Sequence, residues 1–231
     1  MSVLEAAIGW LAPPQCINCG SEGSALCLAC STSVIKPYGE RCAFCARLSL
    51  AGRTCTHCRL PGAPRYVWIK TVYEGLAQEL LQTYKFKHLR VAAEPLAQMM
   101  AGTLNNYLNH EQLARANYVV VPLPTATSRI RQRGFDHSAL LARAVARKLK
   151  LEYAPVLGRL GQNRQVGATR QVRLNQQTAN YFARQPQRII GRNILLIDDV
   201  VTTGGSLMAA GRVLRVAGAK HIDALVFAKR L

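Results

Sequence analysis

From residue 66 onwards, the apolar positions follow two periods, one typical of strands and the other of helices. Apolar residues alternate with polar ones over 66–73. Short continuous apolar runs, typical of strands buried on both faces, occupy 118–121, 194–197 and 222–227. Between these segments, apolar residues recur at helical spacing over 76–86, 95–108, 138–149 and 207–217. Strands and helices that alternate in this way predict an α/β fold with a parallel sheet flanked by helices.

The first 62 residues are distinguished by cysteine. All eight cysteines of the chain lie there, in four Cys-x-x-Cys pairs: Cys16/Cys19, Cys27/Cys30, Cys42/Cys45 and Cys55/Cys58. Two such pairs supply the four thiolates of a tetrahedral Zn²⁺ site, because the two-residue spacer lets both sulfurs point at one ion. A disulfide framework is disfavoured in a reducing cytosol, and a thioredoxin-like pair would not be repeated four times. We therefore predict two structural zinc ions, or one if a site has decayed.

The pairing of these cysteines stays open at this point. Sequential pairing gives the first four cysteines one ion and the last four another, whereas an interleaved arrangement would mix them. His57 is expected to be a bystander, because the thiols already suffice as ligands. With few large apolar side chains, the segment needs metal binding for most of its folding free energy. We predict a double zinc ribbon over 1–62, followed after a Pro/Gly linker by a domain over 63–231.

The strand predicted at 194–197 leads into a group of acidic, hydroxyl and glycine residues. Its successors are Asp198, Asp199, Thr202, Thr203, Gly204, Gly205 and Ser206. In open α/β sheets, ligands bind at the carboxyl ends of strands. The hydroxyls, the unhindered N–H groups and the helix N-terminus of this turn suit a phosphate. The carboxylates suit a sugar diol or the water around Mg²⁺, so the segment predicts a site for phosphoribosyl diphosphate with Mg²⁺.

Other interpretations of this segment deserve comparison. Paired acids after a strand also occur in P-loop ATPases, but the sequence contains no G-x-x-x-x-G-K-[ST] loop. A phosphoacceptor pocket and a plain surface turn are two further alternatives. A plain turn explains neither the tandem threonines nor the tandem glycines.

Charge is spread unevenly over the chain. The formal net charge is +18 at pH 7, and residues 129–192 contain 14 Lys and Arg against two acidic residues. Such a stretch attracts polyanions, either a nucleic acid or a diphosphate, whereas a merely solvated face usually mixes both signs. Aromatic residues are too sparse in this stretch to predict a stacking platform for single strands.

Hydropathy gives no sign of membrane insertion. Mean hydropathy is +0.04, and no apolar run approaches the roughly 20 residues that span a bilayer. The residues before Cys16 include an acid and no basic residue, which is unlike a secretory signal. The protein is therefore expected to be cytoplasmic.

Taken together, these segments resemble the ComF/GntX family of DNA-utilisation and competence proteins, which carry a type I phosphoribosyltransferase domain. Their order along the chain is the four cysteine pairs, Lys85-Phe86-Lys87, Val121-Pro122-Leu123-Pro124, Arg131-Gln132-Arg133-Gly134-Phe135, an Arg/Gln/Asn-rich segment over 164–175, and the acidic turn. The resemblance covers nearly the whole chain. It implies a phosphoribosyltransferase of unknown acceptor, linked to nucleotide salvage and to DNA uptake or the use of DNA as a nutrient.

The resemblance also implies a diphosphate site. In type I phosphoribosyltransferases the turn after the 121–124 segment holds diphosphate, which implies contacts from the amides of Thr125 and Ala126 and from two arginines, Arg131 and Arg133. The 164–175 segment resembles the loop that closes over the active site in such enzymes.

The chain departs from the family pattern just after Phe135. The family has Asn-Gln or a close variant there, whereas this chain has Asp136-His137. The extra negative charge argues against a direct contact between residue 136 and diphosphate. His137 is expected to cap or pack a helix rather than to act as a catalytic base.

A second hypothesis is a non-catalytic, DNA-associated adaptor that keeps the sugar-phosphate pocket. The zinc ribbon and the basic face would then carry the role, with single-stranded DNA, nucleotides or the DNA uptake machinery as partners. The sequence indicates no particular acceptor base and no oligomeric state.

Overall fold

The computed structural model describes residues 13–33, 35–86, 90–160 and 181–231. Its strands are β1 (Val67–Val72), β2 (Tyr118–Pro122), β3 (Glu152–Tyr153), β4 (Leu157–Arg159), β5 (Tyr181–Ala183), β6 (Asn193–Val201) and β7 (His221–Lys229). Five of them form a parallel sheet in the order β1-β7-β6-β2-β3. The other two, β4 and β5, form an antiparallel hairpin pair beside it.

Helices cover both faces of the sheet. They are α1 (Leu28–Ser33), α2 (Gly75–Phe86), α3 (Ala93–Asn105), α4 (His110–Ala116), α5 (Thr127–Arg133), α6 (His137–Leu149) and α7 (Gly205–Val216). The described part of the chain contains no helix with the length and apolar character that crossing a bilayer requires. The predicted fold class, a parallel sheet flanked by helices, is confirmed.

The apolar run of β6 explains how the layers are held together. Leu195 and Ile197 pack in a core cluster with residues of α2, α3 and α6, whereas Ile194 and Leu196 pack in a second cluster with residues of α7. All four side chains are fully buried. Because successive side chains of a strand point to opposite faces, a continuous apolar run is what a central parallel strand needs. Burying each of these side chains contributes about 1.5–3 kcal/mol relative to leaving it exposed.

β6 is longer than its apolar run predicts, and this length creates the site. Its pairing with β2 ends at Pro122 and Ile197, whereas its pairing with β7 continues to Val201 and Lys229. The last backbone hydrogen bond on the β2 side runs from the N–H of Leu123 to the carbonyl of Ile197. The two aspartates therefore lie within the strand, at the point where its neighbour on one side has ended.

The cysteine-rich segment packs closely on the sheet and its helices. Buried residues of this segment, among them Leu26 and Ile35, belong to the same core cluster as α2 and α3. On the other face, a Cβ placed on Gly211 of α7 would lie 2.0 Å from the carbonyl oxygen of Gly62. Only glycine at position 211 permits the backbone of the linker to approach α7 this closely.

Candidate active site

The eight cysteines form two separate groups. One contains Cys16, Cys19, Cys27 and Cys30, and the other contains Cys42, Cys45, Cys55 and Cys58. In each group the sulfur atoms all lie within 4.8 Å of one another, so each offers the four thiolates that a tetrahedral Zn²⁺ ion prefers. The cysteines are grouped sequentially, and His57 belongs to neither group. The two groups are called cluster 1 and cluster 2 below.

A cavity of about 400 Å³ opens at the carboxyl ends of the central strands. It is lined by Tyr73, Lys85, Leu123, Pro124, Thr125, Ala126, Arg129, His137, Ser138, Arg159, Tyr181, Asp198, Asp199, Val200, Thr202, Ser206 and Arg230. Four of these residues are Lys or Arg, and two are Asp. The cavity thus combines the acidic turn with basic groups from four other parts of the chain.

Asp199 is held in an ion-pair network. Its Oδ2 lies 2.5 Å from Nζ of Lys85 and 3.2 Å from Nε2 of His137. Burial alone would raise the pKa of Asp199, but the charge of Lys85 and the interaction with His137 outweigh burial and hold that pKa well below its usual range. Asp199 is therefore a fixed negative charge in the cavity wall.

His137 is oriented by a second basic residue. Nη1 of Arg133 lies 2.9 Å from Nδ1 and 3.2 Å from Nε2 of His137, so the guanidinium lies against both nitrogens of the ring. Nε2 of His137 also lies 3.2 Å from Oδ2 of Asp199, so the ring is held between Arg133 and Asp199. His137 is the first residue of α6 and is buried. The expectation of a capping or packing role thus omitted its main contact, the one with Asp199.

The end of α2 brings three consecutive side chains to this network. The hydroxyl of Tyr84 donates to the carbonyl of His137 at 2.6 Å, and Lys85 pairs with Asp199. The ring of Phe86 lies 4.9 Å from the guanidinium carbon of Arg133. Since α2 ends at Phe86, all three side chains can fan out around the last helical turn. The remainder of the Lys85-Phe86-Lys87 motif lies outside the described residues.

Asp198 has a different environment from its neighbour. It is half-buried, lines the cavity, and accepts a hydrogen bond on Oδ1 from the backbone N–H of Asp199 at 2.9 Å. Burial, and then the adjacent charge of Asp199, raise the pKa of Asp198 from 3.8 to about 8. The two aspartates are thus chemically distinct, one a permanent anion and the other a proton holder at neutral pH.

Asp198 is expected to make stability depend on pH. An unfolded chain ionises this carboxyl near its ordinary pKa, so from about pH 4 to 8 the folded state holds a proton that the unfolded state releases. The stabilisation is fully present below about pH 4 and is lost as the pH rises towards 8. We expect the melting temperature of wild type to fall relative to that of Asp198→Asn across this interval. Thermal melts at pH 5, 6.5 and 8 check this.

An exposed acid provides the control for this pH series. Glu111 pairs with Arg115 on the surface of α4, and both side chains are more than two-thirds exposed. Glu111→Gln should follow the pH profile of wild type, because exposed pairs contribute little. Melting curves for Asp198→Asn that parallel those of wild type from pH 5 to 8 would refute the assignment.

The predicted phosphate turn forms one wall of the cavity. Gly204 is the N-cap of α7 and has a φ of 80°, in the left-handed region that favours glycine. Thr202 and Ser206 line the cavity on either side of it. Lys229, a buried residue, donates from Nζ to the carbonyl of Thr202. The N-terminus of a 12-residue helix thus faces the cavity, with its unpaired N–H groups and its partial positive charge.

The residues predicted to hold diphosphate differ in whether they line the cavity. Thr125 and Ala126 line the cavity. Arg131 is exposed and Arg133 is buried against His137, and neither belongs to the described residues that line the cavity. Arg129, two residues before Arg131, lines it instead. The helical turn of α5 explains the difference, because residues two apart on a helix point in different directions.

Asp136 caps α6. Its Oδ1 accepts from the N–H of Ala139 at 3.1 Å and from the hydroxyl of Thr125 at 3.2 Å. The carboxylate is thereby occupied with the helix end and with the turn after β2.

The β4–β5 hairpin contributes two cavity residues that sequence reasoning missed. Arg159 and Tyr181 both line the cavity, and the guanidinium carbon of Arg159 lies 5.6 Å from the centre of the Tyr181 ring. Short strands give little periodic signal, so the sequence did not reveal this pair. The predicted closing loop at 164–175 lies outside the described residues.

Comparisons with known proteins agree with this geometry. Residues 136–231 match the phosphoribosyl transferase domain family. The chain is 25% identical over 207 residues to competence protein ComFC of Bacillus subtilis, covering 84% of this chain and 79% of that protein. It is also 25% identical to ComFC of Streptococcus pneumoniae, covering 87% of this chain and 86% of that protein. Competence protein F of Haemophilus influenzae is 25% identical as well, over 90% of this chain and 94% of that protein.

Over most of its length the chain is similar to competence proteins of the ComF family, and its last part is similar to the phosphoribosyl transferase domain. The part that matches the phosphoribosyl transferase domain begins at Asp136 and contains both aspartates and the phosphate turn. Among solved structures, the chain is similar to one entitled "structure of the allosteric regulatory enzyme of purine biosynthesis". That likeness has a TM-score of 0.42 and 16% identity over 63% of this chain and 29% of the other, and it adds nothing to the family assignment.

Proposed function

We propose that this ComF-family protein binds phosphoribosyl diphosphate with Mg²⁺ in the cavity and transfers its phosphoribosyl group to a nitrogen acceptor. The observation that carries the proposal is the meeting of a helix N-terminus and two inequivalent carboxylates in one cavity of about 400 Å³. The 5′-phosphate would bind the N–H groups and hydroxyls at 202–206. The aspartates would hold the ribose hydroxyls, since carboxylates accept hydrogen bonds from a diol.

The leaving diphosphate would lie near the turn after β2. Arg129 is the arginine of that turn that lines the cavity, and the N–H groups of Thr125 and Ala126 lie beside it. In the proposed reaction the bond from C1 to the diphosphate oxygen breaks, the bond from C1 to nitrogen forms, and the nitrogen loses a proton. Basic groups placed where negative charge develops lower the barrier for such a step.

The oxygen atoms of Asp198 and of the substrate are ligands that suit Mg²⁺. When bound, Mg²⁺ would neutralise charge on the diphosphate. Lys85 and His137 would meanwhile keep Asp199 ionised and in place. We further propose that both clusters hold structural zinc, which the sulfur spacing within each cluster supports.

The test is a turnover assay across a panel of bases. Protein, phosphoribosyl diphosphate and Mg²⁺ are incubated with each purine, pyrimidine and pyridine base, and diphosphate release is measured. We expect release with at least one base, and calorimetric binding of phosphoribosyl diphosphate without any base. Failure to bind would refute the proposed site, whereas binding without release from any base would refute only the transfer reaction.

An adaptor in DNA uptake or utilisation is the second candidate. It is supported by the 14 Lys and Arg against two acidic residues over 129–192, and by the names of the competence relatives. Arg131 is exposed and is not among the described residues that line the cavity, so it is available to a polyanion. Affinity for single-stranded DNA that falls steeply with salt, together with an absence of turnover, would favour this role.

A further inference from the structure

Phe44 connects cluster 2 to the phosphate turn. It stands between the two ligands Cys42 and Cys45. A Cβ placed on Gly204 would lie 2.2 Å from Cε1 and 2.3 Å from Cδ1 of Phe44, far closer than two carbon atoms can approach. The ring therefore rests directly against the backbone of Gly204. It fills the space in which any other residue at position 204 would place its side chain.

The backbone conformation of Gly204 sets the direction in which the turn faces the cavity. Its φ of 80° reverses the chain between Thr202 and the first turn of α7. Glycine is the most flexible residue, so a turn that depends on it gains order only from what surrounds it. Phe44 contacts the turn on one side, and Lys229 donates to the carbonyl of Thr202 from β7. These two contacts hold the turn in the shape that presents its N–H groups.

Phe44 is itself held by the fold of cluster 2. The N–H of Cys42 donates to the carbonyl of Arg47, and the carbonyl of Cys42 accepts from the N–H of Ala46 and the hydroxyl of Tyr38. The N–H of Tyr38 in turn donates to the carbonyl of Lys70 in β1. A metal bound by the cysteines on both sides of Phe44 would fix the two ends of this knuckle, with no contribution from Phe44 to the ligand set.

Cluster 1 makes a useful comparison. It also contains a large apolar residue inside a Cys-x-x-Cys pair, Leu28 between Cys27 and Cys30. The side chain of Leu28 is 75% exposed, whereas Phe44 is half-buried and packs on the core cluster that includes α7. Among the described residues, the contact with Gly204 thus comes from cluster 2.

We propose that Phe44 is a positioning residue for the phosphate turn, through which the metal-binding knuckle of cluster 2 sets the affinity of the cavity for a sugar phosphate. The inference rests on the proposed function only for the identity of the ligand. The ring does not touch substrate in this arrangement. It acts by restricting Gly204, so that the N–H groups of the turn are already in place when a phosphate arrives.

The experiment compares Phe44→Ala with Phe44→Leu, Leu28→Ala and wild type in the full chain. Ribose 5-phosphate serves as the probe in calorimetry, hydrogen exchange is followed in peptides that cover 202–206, and zinc is quantified for every protein. We expect Phe44→Ala to weaken ribose 5-phosphate binding about 5- to 30-fold and to speed exchange in the turn by a similar factor. Phe44→Leu should keep most of the affinity for ribose 5-phosphate and most of the exchange protection of the turn. Leu28→Ala should match wild type in both measurements. The zinc content should be unchanged in all of these variants.

A double-mutant cycle tests the contact itself. Gly204→Ala places a methyl group against the ring and also strains the positive φ, whereas in the Phe44→Ala background only the strain persists. The affinity penalty of Gly204→Ala should therefore be at least about twofold smaller when Phe44 is absent.

Three outcomes would overturn the inference. If hydrogen exchange at 202–206 is the same in Phe44→Ala as in wild type, the inference is wrong, whatever the binding data show. Loss of zinc from Phe44→Ala, or equal effects in Leu28→Ala, would show that the variant acts through general unfolding of the cysteine-rich segment. If wild type itself does not bind ribose 5-phosphate, the proposed function fails, and the exchange data still decide the role of Phe44.

Discussion

Replacing Asp199 with asparagine is expected to weaken binding of Mg²⁺-phosphoribosyl diphosphate by about 30-fold or more, corresponding to roughly 2 kcal/mol. The same change should lower the free energy of unfolding by about 3 kcal/mol. Both effects follow from the pairing of Asp199 with Lys85, whose side chains are 8% and 15% exposed. An asparagine leaves the ammonium of Lys85 buried without a counter-charge. Calorimetric titration and chemical denaturation measure the two effects.

Asp198→Asn is the matched control, because it makes the same chemical change, carboxylate to amide, at the neighbouring residue. At pH 7 the raised pKa of Asp198 keeps much of this group protonated, so a neutral amide should cost little stability. Binding should still weaken, since the amide cannot bind Mg²⁺ as a carboxylate does. The expected pattern is two variants that both lose affinity, of which only Asp199→Asn loses stability. Equal stability losses in both variants would contradict the division of roles between the two aspartates.

Removal of zinc is expected to lower the melting temperature by about 10 °C or more. Structural zinc sites contribute about 10–16 kcal/mol of apparent binding free energy in isolated finger peptides. We expect zinc removal to cost this protein only part of that free energy, because Leu26, Ile35 and other residues of the segment also pack in the core of the main sheet. For a chain of this size, each kcal/mol lost moves the melting temperature by about 2–4 °C. Calorimetry before and after chelation checks the shift.

Metal analysis and re-addition complete that experiment. We expect two zinc ions per chain, and recovery of the original melting temperature when Zn²⁺ is restored but not when Mg²⁺ is added. Oxygen-seeking Mg²⁺ binds thiolates poorly, so it serves as the control ion. A metal-free protein that melts at the original temperature would show that the cysteine clusters are not structural zinc sites.

The parts of the fold that depend on local pattern were predictable from the sequence. The run at 194–197 is a central strand, the spacing of the cysteines yields two groups of four, and the glycine turn opens a helix. Each of these is decided by a few neighbouring residues. The extent of β6 was not predictable in this way, because it depends on where β2 and β7 end.

The chemistry of the site was only partly predictable, because it combines distant parts of the chain. Lys85 was recognised as part of a motif, but its partner Asp199 lies more than 100 residues away. The family resemblance implies Arg131 and Arg133, whereas Arg129 lines the cavity, because the sequence does not reveal which side of a short helix faces it. Arg159 and Tyr181 reach the cavity through a hairpin whose two strands are separated by 21 residues.

The close approach of Gly62 to Gly211 limits how the molecule can move. The carbonyl oxygen of Gly62 occupies the position that a side chain of residue 211 would take. The linker and α7 therefore cannot slide past each other without a steric clash. The cysteine-rich segment is therefore unsuited to act as a swinging lid over the cavity. Any closure around a ligand would have to come from other parts of the chain, while the phosphate end of the cavity stays rigid.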